Sequence, residues 1–98
     1  MTEKKFELGR ITMTAGVAEL VEKSAEFMDF VIRSMARYTK CDWGEMDPDD
    51  KELDDEAVKT GDDRIFAAYE NKGHPEWKIW IITEWDRSYT TVLFPSEY

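Results

Sequence analysis

Residues 77–85 read WKIWIITEW, and little other than a β-strand suits them. β-Branched and aromatic side chains fit a pleated surface, and successive side chains of a strand point to opposite faces. Trp77, Ile79, Ile81 and Trp85 then share one face, and Trp80 and Ile82 share the other. Both faces are apolar over the middle of the strand, so both need cover. Helices packed on one side would leave the second side open. Three things can close it: the N-terminal segment wrapping round, a Trp capping the rim, or a partner, most simply a second copy of the chain.

The flanking sequence supplies neighbours for this strand. RIFAAYE at 64–70 reads as one strand, and NKGHPE at 71–76 as a turn marked by Gly73 and Pro75. YTTVLF at 89–94 reads as the returning strand, reached through the short loop Asp86-Arg87-Ser88 and stopped by Pro95. Consecutive strands with short loops predict an antiparallel meander. FELGRITM at 6–13 predicts a further short strand, with imperfect alternation. Thr14 caps a helix over 15–23 that carries Val17, Leu20 and Val21 on one side. Ser24 caps a clearer helix over 25–39, where Phe27, Phe30, Val31, Ser34, Met35 and Tyr38 recur at the spacing of one helical face. Helices first and strands after predict an α+β class, with N-terminal helices packed on a three- or four-stranded antiparallel sheet. The 98 residues are expected to form a single domain over 1–98, and 42% apolar and 13% aromatic content is enough to fill one core.

Charge is not spread over this scaffold. Residues 42–63, DWGEMDPDDKELDDEAVKTGDD, hold eleven acids and two bases, a balance of −9. Residues 1–41 sum to +1 and residues 64–98 to −1, so the segment accounts for the chain's net −9. It predicts a helix of its own. Asp47 is an N-cap, Pro48 suits the first helical position, Asp49, Asp50 and Glu52 favour the positive end of the macrodipole, and Gly61 takes the left-handed position that ends the helix. Leu53, Ala57 and Val58 give it a narrow apolar stripe to lay on the core. Capping and the macrodipole explain the first acids, which leaves Asp54, Asp55, Glu56, Asp62 and Asp63 without a local reason.

Several segments resemble a group of small bacterial proteins carried on plasmids and integrative elements and labelled plasmid-related. They are Asp42-Trp43-Gly44, Gly61 with Arg64-Ile65, Ala68-Tyr69, and the block IWIITEWDRSYTTVLFPSEY at 79–98; Ile11-Thr12-Met13-Thr14 with Gly16-Val17 extends the likeness over nearly the whole chain. The resemblance implies no activity and no catalytic residue. It implies a mobile-element setting: plasmid maintenance, transfer, or inhibition of host defence.

The chain is poorly equipped for most chemistry. His74 is the only histidine, placed in the expected turn with no metal-spaced partner. Cys41 is the only cysteine, which fits a reducing cytoplasm, and the acids Asp42 and Glu45 after it raise a thiol pKa while Lys40 lowers it. The acids from Asp47 miss the EF-hand template, since Lys51 and Glu52 fall at its fifth and sixth places. No phosphate-cradling glycine loop and no nucleophile elbow is present. No apolar run approaches the ~18 residues of a membrane span, and MTEKKFELGR has no apolar core of a secretory signal. No cofactor and no metal are expected.

The expected function is therefore non-enzymatic: an accessory protein of a mobile element that binds a protein with a basic surface. Its sharpest form is inhibition of a host defence nuclease, anti-restriction or anti-CRISPR, by mimicry of a nucleic-acid backbone. The residues expected to contact the partner are Asp49, Asp50, Asp54, Asp55, Glu56, Asp62 and Asp63 on the acidic helix, and Trp80, Trp85 and Arg87 at the sheet. Direct nucleic-acid binding is not expected from so acidic a chain, nor is a membrane. The alternatives are a structural homodimer, and an enzyme whose site gathers Glu84, Asp86 and Arg87. At that hairpin the plainer reading has Asp86 bonding backbone amides and Arg87 paired with an acid such as Glu84.

Overall fold

The structure, a computed structural model, describes residues 5–98. In chain order the elements are β1 (Arg10–Met13), α1 (Ala15–Lys23), α2 (Ala25–Thr39), α3 (Pro48–Thr60), β2 (Ile65–Asn71), β3 (His74–Thr83), β4 (Tyr89–Leu93) and a closing 3-10 turn (Pro95–Glu97). The class is α+β, with the helices ahead of the main strands. The sheet runs β1-β4-β3-β2. β2, β3 and β4 form the antiparallel meander, but β1 lies parallel to β4, with Arg10 opposite Tyr89 and Met13 opposite Val92. The sheet is therefore mixed, not antiparallel throughout. The reason is connectivity: β1 is separated from its neighbour by every helix, so no hairpin forces it to run the other way.

Thr14 and Ser24 cap α1 and α2 by accepting hydrogen bonds from Val17 N and Phe27 N. These two helices cover one face of the sheet. Phe27, Tyr38, Ile65, Tyr69, Ile79, Ile81 and Val92 meet between the layers, each worth roughly 2 kcal/mol of burial. Phe27 and Phe30 close on Trp77 with ring centres 5.3 and 6.2 Å apart. A polar thread crosses this core without leaving a group unpaired. Tyr38 Oη meets Thr83 Oγ1 at 2.7 Å, Thr83 meets Thr90 at 2.7 Å, and Thr90 donates to the Leu8 carbonyl at 2.7 Å.

The second sheet face is closed by the C-terminal turn. Tyr98 sets its ring edge-on to Trp80 at 5.5 Å, Phe66 packs on Trp80 at 4.9 Å, and Arg64 lies over Tyr98. Beneath them Ala68, Ile82 and Leu93 are buried. The N-terminal segment goes to the helix side instead, where Phe6 packs on Tyr38 and Trp43.

Strand limits differ from the sequence reading in two places. The turn is the tight Lys72-Gly73 pair alone, so His74, Pro75 and Glu76 already belong to β3. Asn71 Oδ1 accepts from both Gly73 N and His74 N, which lets two residues do the work expected of six. At the other end β3 stops at Thr83, so Trp85 is a loop residue and shares no strand face with Ile79 and Ile81.

Candidate functional site

β2 is the outer strand of the sheet, and its outward amides at 66, 68 and 70 would otherwise be open to another chain. The acidic segment occupies them. Phe66 N donates to Asp54 Oδ1 at 3.0 Å, Ala68 N to the Trp43 carbonyl at 3.3 Å, and Glu70 N to Glu45 Oε2 at 3.1 Å. Glu45 N donates back to the Ala68 carbonyl at 2.8 Å, forming a parallel bridge between Gly44 and Ala68. This approach needs glycine: Gly44 has a φ of +78°, and a Cβ there would collide with the Ala68 carbonyl and the Tyr69 ring. Arg37 locks the turn before it, holding Asp42 at 2.8 and 3.2 Å and lowering its pKa chiefly through that bond.

α3 follows, laid against β2. Pro48 and Gly61 stand where expected, with Gly61 left-handed at φ 74°, but the Asp47 side chain makes no capping bond. The apolar stripe is also shifted. Ala57 is buried, Leu53 is 68% exposed, and the residue turned inward one turn before Ala57 is Asp54, 5% exposed. A helix with so few apolar positions is oriented by its best fixed bond, and here that bond is Asp54 to the β2 edge.

Asp54 Oδ2 is buried with no hydrogen-bond partner. Burial pushes this carboxyl up to about 7, with Asp50, Asp55 and Asp63 adding repulsion and the Phe66 amide pulling the other way. Beside it lies a half-open groove of about 380 Å³ between α3 and the start of β2, lined by Met46, Asp50, Leu53, Asp54, Asp63, Arg64 and Phe66. Ligand pockets span roughly 300–1,000 Å³. Among the described residues no group of three or more His, Cys, Asp or Glu is placed to hold a metal ion.

No family model, curated protein or solved structure matches this chain.

The geometry thus sorts the residues singled out from the sequence. Asp54 is a buried edge cap, not a surface charge. Asp55 accepts from Trp43 Nε1 at 2.9 Å, Asp62 from Thr60 Oγ1 at 2.8 Å, and Asp63 from the Arg64 amide at 2.8 Å. Of the five acids left without a local reason, only Glu56 remains so. Asp49 and Asp50 are exposed and hold no ion pair among the described residues, as do Asp47 and Glu52. Asp49, Glu52 and Glu56 fall at i, i+3 and i+7, one outward stripe of α3.

Trp80, Trp85 and Arg87 stand in different settings. Trp80 lies on the second sheet face under Tyr98, while Trp85 is 61% exposed in the β3–β4 loop. Arg87 does not pair with the Glu84 carboxylate. Its guanidinium donates to four backbone carbonyls: Asp63 at 2.6 Å, Ala57 at 2.8 Å, Trp85 at 3.1 Å and Glu84 at 3.2 Å. It holds the end of α3 to the hairpin, a position that suits a cation. Asp86 does bond a backbone amide, that of Ser88, at 3.0 Å. The Arg87 guanidinium and the Asp86 carboxylate are thus both engaged by backbone groups.

His74 sits at the start of β3, stacked on Trp77 at 3.8 Å between Glu26 and Glu76, instead of in a turn. The Cys41 thiol is shifted up as expected, but mainly by burial, with Asp55 and Asp54 adding to it and Lys5 opposing. No helix of the described residues is long and apolar enough to cross a membrane. The sequence reading missed Asp54 and Glu45 as edge caps. A usable signal was present in the Trp43-Gly44 pair, a large anchor beside the one residue able to lie flat on a strand.

Proposed function

We propose that the protein is a non-catalytic acidic docking module whose outer α3 face binds a basic protein surface. The observation that carries this reading is the exposed stripe Asp49, Glu52 and Glu56, which holds no ion pair among the described residues, on a helix where Asp54 and Asp55 are taken up by bonds within the fold. From Asp49 to Glu56 the stripe spreads these charges along about 10 Å of the helix. That length suits a groove that normally follows a phosphate backbone. In the cytoplasm of a cell carrying a mobile element, the partner would be a nucleic-acid-binding defence enzyme, and binding would exclude its DNA by competition.

The test is DNA cleavage by a purified RNA-guided nuclease and by a purified restriction endonuclease, each mixed with the protein. Inhibition of one of them should weaken steeply as salt rises from roughly 50 to 200 mM. The triple variant D49N/E52Q/E56Q should lose it while keeping the wild-type melting temperature. Equal inhibition by the variant, or none of either enzyme by the wild type, sinks the reading.

A further inference from the structure

We propose that the groove between α3 and β2 takes the alkyl-ammonium or guanidinium side chain of a partner protein's lysine or arginine, with its cation seated on Asp54 Oδ2. The proposal deepens the docking reading above and rests on it for the identity of the ligand as protein.

The starting observation is an unusual buried atom. Asp54 Oδ1 is committed to the Phe66 amide, while Oδ2 is buried without a partner. A carboxylate oxygen left this way costs about 1–3 kcal/mol or more, so folded proteins rarely keep one without a reason. Asp54 is one of the residues lining a groove large enough for a long side chain, with Oδ2 buried beside it. The walls match such a ligand in two parts. Met46, Leu53 and Phe66 offer apolar surface for methylene groups, and Leu53, 68% exposed, is accessible to them. Asp50 and Asp63 flank Asp54 and supply further negative charge for the head. Long basic side chains bind in this way, stem on apolar surface and charge on acids.

Other ligands fit less well. An anion would face Asp50, Asp54 and Asp63. A neutral apolar group would leave Oδ2 unpaired and bury it further. A divalent metal would need a ligand cluster that the described residues do not form. Arg64, the one cation in the lining, lies over the Tyr98 ring with its guanidinium carbon 5.7 Å from the ring centre, an alternative anchor to the acids. The raised Asp54 pKa adds a signature. A cation on Oδ2 requires the ionised form, so binding should release a proton and strengthen as pH rises through about 7.

The experiment is an amide NMR titration of the labelled protein with the tripeptides Ac-Gly-Lys-Gly-NH2 and Ac-Gly-Arg-Gly-NH2. The controls are the Nε-acetyl-lysine form of the first and spermidine. Saturable shifts are expected at Phe66, Leu53 and Asp63, with a Kd on the order of millimolar for one isolated side chain, and none with the acetylated peptide. Asp54→Asn should weaken binding about tenfold. Leu53→Ala, an exposed change that leaves the fold alone, should weaken it about threefold. The affinity should rise between pH 6 and 8. If the tripeptides shift only residues along the Asp49, Glu52 and Glu56 stripe, or if L53A and pH leave their binding unchanged, the pocket assignment is overturned while the docking reading stands. If spermidine alone occupies the groove, a partner side chain is the wrong ligand. If the groove binds as described but neither nuclease is inhibited, the nuclease reading fails and the pocket stands.

Discussion

Asp54 shows how little a residue's type says about its role. It is one of eleven acids in the 42–63 segment, and it is the one the fold buries. Its ionisation has a definite sign. The folded-state value near 7 lies above the roughly 3.9 of an unfolded aspartate, so the native protein holds this proton more tightly. That contribution is fully present below about pH 4 and is lost as pH rises through about 7. Burial is the main cause; Asp50, Asp55 and Asp63 reinforce the shift from α3 and the following loop, and the Phe66 amide opposes it. Asp42 acts in the other direction: Arg37 lowers its pKa, so its contribution fades as pH falls. Asp54→Asn should therefore gain stability relative to wild type between pH 4 and 7, by on the order of a few kcal/mol, as read from urea midpoints. A difference that stays constant across that range would refute the assignment.

At the level of elements, regular structure was legible wherever one periodicity ruled. The α2 stripe, the Thr14 and Ser24 caps and the cores of β2, β3 and β4 all follow from spacing and local chemistry. α3 was legible in extent but not in orientation, because Leu53, Ala57 and Val58 are too few to fix its rotation against a bond to the sheet edge. The parallel placement of β1 was not legible, since no local turn encodes it. Nor was the role of Arg87, whose partners are carbonyls spread over residues 57–85 and carry no side-chain signature. That role makes a sharp demand on side-chain shape. Arg87→Ala should cost about 2–4 kcal/mol in urea unfolding, because four carbonyls lose a charged donor at once. Arg87→Lys should recover less than half, since one ammonium cannot span the fork that reaches both α3 and the hairpin. Full recovery by lysine would reduce the clamp to a simple charge effect.

For the whole molecule, the acidic segment is first a structural device. It closes the open side of the sheet with a turn, two carboxylates and a helix, and only the surplus is free for a partner. The candidate site was legible to that extent: the sequence located the charge, and burial then removed Asp54 alone from its expected acids, while Asp55, Asp62 and Asp63 stay exposed but take hydrogen bonds within the fold. The parallel pairing of β1 has a separate consequence, one that concerns synthesis. β1 residues pair with partners 79 positions later in the chain. On the ribosome the first strand is made early and has nothing to pair with until almost all of the chain has emerged. Contacts between such distant segments carry the largest loop-closure cost and form late. The meander should therefore gain amide-exchange protection before Arg10–Met13 in pulse-labelled refolding, and nascent chains stalled before Tyr89 should hold β1 unprotected.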